Sequence, residues 1–170
     1  MFLILRPLRL FVQAFVTEST PRQMAFGLAL GVFVGLVPKG NLLAIVLGTL
    51  LAATRVNLAI ATFAIVLCSF CAAMLDSLFD RVGTFVLTQP SLQGLFIEMI
   101  NTPFMPWTDF NNSIVMGSFV TGLMLIFPIY RLSRPVFEKY SDKLSKRLRQ
   151  WRYAKLLLGA EWANRIAALE

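Results

Sequence analysis

The chain contains no histidine. That absence removes the usual proton shuttle near neutral pH and the commonest metal ligand. Cysteine is nearly absent as well. Cys68 and Cys71 form a C-x-x-C inside an apolar run, with no second ligand pair, so they read as small packing residues rather than a redox or metal pair. The apolar stretches hold no carboxylate pair. The chain has no nucleophile–base arrangement, no Walker loop and no dinucleotide fingerprint. Asp76 and Asp80 lie four apart on one helix face but have no partner ligands. The expectation is a non-enzymatic protein, with no catalytic residues, no metal and no cofactor.

Charge is also scarce. Of 170 residues, 15% are charged and 57% are hydrophobic, and the mean hydropathy is +0.70. Typical soluble domains carry more charge and less apolar residue. The class is an all-α integral membrane protein with one domain. The net charge is +7, unevenly spread. Arg131 to Glu170 holds ten Lys/Arg and four Asp/Glu, whereas Asp76 to Asn112 holds four acids and Arg81 alone.

The first residues, MFLILRPLRLFVQAFV, superficially resemble a signal peptide. Arg6 and Arg9 interrupt the apolar run and no small-x-small cleavage site follows, so the segment is expected to be retained. Ile4, Leu8, Phe11 and Phe15 share a helical face, which predicts an interfacial amphipathic helix over 1–18. Thr20, Pro21 and Gln23 then form a capping-box start for a helical hairpin over 21–54. Its two uncharged halves, Met24–Val37 and Leu42–Thr54, are 14 and 13 residues long. Each spans roughly 20 Å, short of the ~30 Å hydrocarbon core. Pro38 and Gly40 form the tip between them.

Residues 58–75 and 113–130 are uncharged runs expected to be transmembrane helices. Between them, 76–112 reads as an amphipathic loop. Its FMPWTDF segment has interfacial composition, which makes Trp107 and Phe110 candidates for docking a partner. Residues 131–170 read as a basic amphipathic helical tail. Its nearest anions are phospholipid headgroups, so nucleic acid is not an expected partner.

The positive-inside rule places the basic tail in the cytoplasm and the acidic 76–112 segment outside. Helix 58–75 then leaves the cytoplasm, with Arg55 inside. Both ends of 24–54 fall on one side, which excludes a single kinked span. A re-entrant hairpin and two short full spans both satisfy the parity. Both termini are then expected on the cytoplasmic side.

Gly27, Gly31 and Gly35 repeat every fourth residue, a pattern that lets helix backbones approach closely. Gly48, with Ala44 and Ala52, offers a second small row, which suits a tight hairpin packed on itself or association between subunits of a homo-oligomer. Lys39 is the only charge between Arg22 and Arg55. It is either a snorkelling residue or, with Asn41 and free amides at the next helix start, a contact for phosphate or carboxylate. Arg55 and Asn57 sit between helices, where they cap helix ends or meet headgroups.

TPRQMAFGLALGVFVGLVPKGN, followed by LLAATRVNLA, resembles an uncharacterised family of small bacterial inner-membrane proteins, a domain of unknown function. The matching positions are Gly27, Gly31, Gly35, Pro38, Gly40, Arg55 and Asn57. The Asn-Pro pair that relatives often carry in the next helix is missing, so no role of that pair transfers. The resemblance implies no enzymatic activity. It implies a longer subgroup often encoded in a two-gene pair in outer-membrane bacteria, acting with a larger envelope protein. The leading expectation is an inner-membrane subunit of an envelope complex, handling membrane phospholipid on its way toward the outer membrane. The alternatives are a small homo-oligomeric transporter or channel, and a membrane anchor for a cytoplasmic partner.

Overall fold

A computed structural model describes the backbone of residues 19–150 and the side chains of residues 19–140. The interfacial helix expected over 1–18 and the tail residues 151–170 lie outside the described residues. All regular structure among the described residues is helical.

Helix α1 runs from Pro21 to Leu36. It begins at the capping box: the Gln23 amide donates to Thr20 Oγ1 at 3.3 Å, and the Thr20 amide donates to Gln23 Oε1 at 2.9 Å. It stops where Val37 turns extended before Pro38, since a residue preceding proline disfavours the α region. Gly40 then takes a φ of +104°, a conformation glycine reaches without a Cβ penalty. This reverses the chain into α2, Leu42–Ala53.

Helix α2 ends at Thr54, whose hydroxyl donates to the Leu51 carbonyl at 2.6 Å. Asn57 then opens α3, Leu58–Ala72, by accepting the Ile60 amide at 2.9 Å. A 3-10 turn, Ala73–Leu75, leads directly into α4, Asp76–Leu87. Together α3, the turn and α4 make a stretch of 30 residues, Leu58–Leu87, long and apolar enough to cross a membrane. Helix α5, Gln93–Asn101, and the 3-10 turn Met105–Thr108 follow. Helix α6 then runs from Ser113 to Gln150, 38 residues with Pro128 and Pro135 inside it. Its Ser113–Tyr140 portion is the second helix long and apolar enough to cross a membrane.

Three boundaries differ from the sequence expectation. The 76–112 segment is mostly helical rather than a loop. Asp76, Asp80 and Arg81 end the uncharged run, yet Phe79 and Gly83 keep a buried face turned to α6. The span expected to end at 75 therefore continues through a 3-10 turn to Leu87. The span expected at 113–130 likewise continues without interruption into the basic segment. Each interior proline costs one backbone hydrogen bond, but apolar helices absorb that loss where neighbours support them.

The packing is centred on α1, which lies between α3 and α6. Its glycine row faces α3 rather than α2. A Cβ on Gly27 would stand 2.7 Å from the Asn57 carbonyl oxygen, one on Gly31 2.5 Å from that of Ala61, and one on Gly35 2.7 Å from Cys68 Cβ. The two helices therefore run parallel and in step, with the Asn57 amide donating to the Gln23 carbonyl at 3.2 Å. The expected self-packed hairpin does not form. A Cβ on Gly48 would find no atom within 4 Å, and Ile45, Val46 and Leu50 are exposed. The α1 glycines are instead taken up by α3, where the small residues Ala61 and Ala64 permit close backbone approach.

Helix α6 runs antiparallel to α1 and α4. The Phe26 and Tyr130 rings meet edge to face at 4.8 Å near one end. Phe33 packs against Phe119 at 5.5 Å further along. At the other end Gly83 and Gly117 face each other. A Cβ on either would overlap the opposing backbone, Ser113 for the first and Phe79 for the second.

Candidate functional site

The tip of the α1–α2 hairpin does not reach the far end of the bundle. The Ser69 hydroxyl donates to the Gly35 carbonyl at 3.3 Å, which places the end of α1 level with Ser69. That is 11 residues beyond Leu58, roughly 17 Å up α3. Above the tip the helices part and leave a cleft of about 350 Å³. It is lined by Gly35, Pro38, Lys39 and Asn41 of the hairpin, by Ser69, Ala72 and Asp76 where α3 passes into α4, and by Asp109, Asn112 and Val115 at the start of α6.

Lys39 has a structural partner set. Its Nζ donates to the carbonyls of Val34, Gly35 and Val37 at 2.7, 3.3 and 2.5 Å. The last carbonyls of a helix have no intrahelical donor, and a cation there also meets the negative end of the helix dipole. Lys39 thus terminates α1 with all three of its N–H groups. Lys39→Met is expected to lower stability by roughly 1–2 kcal/mol, since it strips three carbonyls of their donor. The check is the melting temperature of the purified protein in detergent. A melting temperature equal to wild type would show that water replaces the ammonium without cost.

Asn41 is 5% exposed. Its Oδ1 accepts the Ala44 amide at 2.9 Å, capping α2. Its Nδ2 has no protein acceptor among the described residues. Asn57, 4% exposed, caps α3 and donates through Nδ2 to Ser19 Oγ at 3.1 Å. It ties the start of α3 to the start of α1 and lies far from the cleft. Arg55 is exposed at the same end.

The two docking candidates separate. Trp107 is 68% exposed and stacks edge to face with the exposed Phe104 at 5.8 Å. Phe110 instead turns inward onto Phe119, with ring centroids 5.3 Å apart. Asp76, Asp109 and Asn112 join the cleft although the sequence does not single them out as its members. Their only signal is the acidic character of 76–112, because the fold that brings 109–112 back over 76 is set by a distant helix crossing.

No group of three or more metal-ligating side chains occurs among the described residues. Cys68 and Cys71 are free thiols, and Cys68 packs against Gly35.

Residues 5–146 match the bacterial family described as "Uncharacterized protein conserved in bacteria (DUF2062)". An uncharacterized protein of Treponema pallidum (strain Nichols) is 28% identical over 127 residues, covering 75% of this chain and 78% of its relative. No solved structure matches the chain. With two helices long and apolar enough to span a bilayer among its described residues, and matched by the family over most of its length, the chain belongs to the uncharacterized bacterial family DUF2062.

Proposed function

We propose that this protein is a non-enzymatic subunit of a bacterial envelope complex, seated in the inner membrane, and that it handles phospholipid together with a larger periplasmic partner. The observation that carries this reading is the depth of the broken tip. With Asn57 at one membrane boundary, a tip roughly 17 Å up α3 stands near the middle of a ~30 Å hydrocarbon core. Irregular backbone at that depth needs protein shelter or a wet cavity, and the cleft above Pro38–Asn41 provides one.

Charge supports the same orientation. Arg22, Arg55, Arg131 and Arg134 gather at the end where Gln23 bonds Asn57 and Phe26 meets Tyr130. Asp76, Asp80 and Asp109 gather at the other, where the Ser113 hydroxyl donates to Asp80. The positive-inside rule puts the first end in the cytoplasm. The hairpin is then re-entrant from the cytoplasmic side, and its cleft opens toward the periplasm. The exposed face of α2 meets lipid, and the Phe104–Trp107 pair stands on the periplasmic side where a partner docks.

The test is purification of the full chain from its native membrane in mild detergent, with identification of what accompanies it. The expected result is one stoichiometric envelope protein and enriched phospholipid. Recovery of the chain alone, with neither, would remove the proposal. Solute flux in liposomes holding only this protein would replace it with a transporter.

A further inference from the structure

Resting on the membrane seating proposed above, we infer that a second groove, beside α5, holds one acyl chain of an outer-leaflet phospholipid. The α5 sequence QGLFIEMIN sets the groove up. Gln93, Phe96, Ile97 and Ile100 follow the i, i+3, i+4, i+7 spacing of one helix face. With Met99, with Leu87 at the end of α4 and with Phe110, they line a groove of about 290 Å³. Gln93 and Asn111 are its polar side chains, both neutral amides, and no charged side chain lines it among the described residues. The hairpin cleft, by contrast, is lined by Lys39, Asp76 and Asp109. The two cavities therefore suit different chemistry.

The groove's depth follows from α6. Ser113 to Tyr130 is an uncharged run of 18 residues, about 27 Å of helix against a ~30 Å hydrocarbon core. Its Tyr130 end meets Phe26 on the cytoplasmic side, so Ser113 stands at the outer boundary of the core. Phe119 is six residues further in, about 9 Å. Phe110 packs on Phe119 with ring centroids 5.3 Å apart. The ring that closes one side of the groove thus sits at the level of the outer acyl chains.

The groove is also open along α5. Ile97 and Ile100 line it and are more than half exposed, as is the neighbouring Leu95. Apolar surface of this kind marks a lipid or protein contact, and a helix with such a face at the boundary buries it among acyl chains. Residues 1–18 and 151–170 join the described chain at the other end of the bundle, at Ser19 beside Asn57 and beyond Tyr130. The groove's volume equals about ten waters at ~30 Å³ each. A methylene is close to water in size, so a stretch of one chain fits and a whole lipid does not. A lipid held by its chain leaves its headgroup free at the outer surface, where the partner can take it.

The experiment uses the full chain in phosphatidylcholine nanodiscs containing a small fraction of phosphatidylcholine with a diazirine at the end of one chain. After irradiation, adducts are mapped by mass spectrometry. Leu123, Met124 and Phe127, exposed on α6, report contact with bulk lipid. Adducts on the groove residues are expected about tenfold above these per residue, the scale of one specific contact. Met99→Trp fills the groove, and Ile97→Glu places in it a charge that a bound chain would have to desolvate. Both should bring groove labelling down to the α6 level and leave α6 labelling unchanged, which also reports that the bundle is intact. Probes with ethanolamine or glycerol headgroups should label the groove equally.

Groove labelling no higher than that of α6 would overturn the inference, and is the result expected if a protein partner or a second copy covers α5. Labelling that follows the headgroup would overturn it too. Displacement of the probe by oleate at equal mole fraction would overturn the phospholipid assignment in favour of a free fatty acid. Each of these results leaves the envelope-complex reading standing wherever the partner still co-purifies. Absence of adducts on α6 as well would remove the membrane seating itself, and the inference with it.

Discussion

Gly117→Leu is expected to eliminate monodisperse, folded protein from detergent extracts, and Gly117→Ala to lower its melting temperature. Gly117 of α6 and Gly83 of α4 cross at backbone contact. A Cβ placed on Gly117 overlaps the Phe79 carbonyl and approaches the Gly83 amide to 2.9 Å. These are backbone atoms within regular helices, so no side chain can turn aside to make room. The helices must separate, which also unseats Phe79, 1% exposed, from its contacts with Leu36 and Ala72. Overpacking of this kind costs about 3 kcal/mol at the upper end of its usual range. Gly83→Ala should behave like Gly117→Ala, because the overlap is reciprocal. Gly48→Ala and Gly94→Ala are the controls. Neither Cβ would meet an atom within 4 Å, and alanine favours a helix over glycine by up to about 1 kcal/mol. Wild-type melting of Gly117→Leu would mean that α4 and α6 do not cross there.

The second large effect is at Gly31. Its Cβ would fall 2.5 Å from the Ala61 oxygen, 2.8 Å from Ala61 Cα and 2.9 Å from Ala64 Cβ. Gly31→Leu should therefore drive α1 away from α3 and cost about 3 kcal/mol. The pattern of rescue is specific. Ala64→Gly removes only one of the three obstacles and should restore only part of the loss. Ala61→Gly removes none, since both its atoms in the way belong to the backbone. The location also separates packing within the chain from packing between chains. A Gly31→Leu protein of unchanged melting temperature but altered oligomeric state would place the glycine row at a subunit interface instead.

These glycines show where sequence reading succeeds and where it stops. Gly27, Gly31 and Gly35 announce a close helix contact because they repeat along one face. The repeat does not say which helix answers it. The adjacent α2 is the obvious partner by position and carries its own small row at Ala44, Gly48 and Ala52, yet the glycines meet Ala61 and Ala64 of α3. Gly83 and Gly117 are single glycines in separate segments, so nothing local marks them as a pair. The capping signals are different. Thr20 with Gln23, and the Pro38–Asn41 break, act over four residues and are legible for that reason. Lys39 is intermediate. Its isolation in an apolar block is plain in the sequence, but the three carbonyls that engage it become unpaired only once α1 ends at Leu36. The cleft acids lie furthest from legibility, because Asp76 and Asp109 share a cavity only through the α4–α6 crossing.

That crossing lies near one end of a very long helix. Helix α6 continues 33 residues past Gly117, about 50 Å, with no loop between its apolar part and its basic part. Pro128 and Pro135 lie between the two parts, and each removes a backbone hydrogen bond, so any bend in this helix falls there. From Gly117 to Pro128 the helix runs 11 residues, about 17 Å. That stretch is the one that carries both the glycine contact and the Phe119 packing, so a change in tilt at Gly83 and Gly117 is felt along it as far as the first proline.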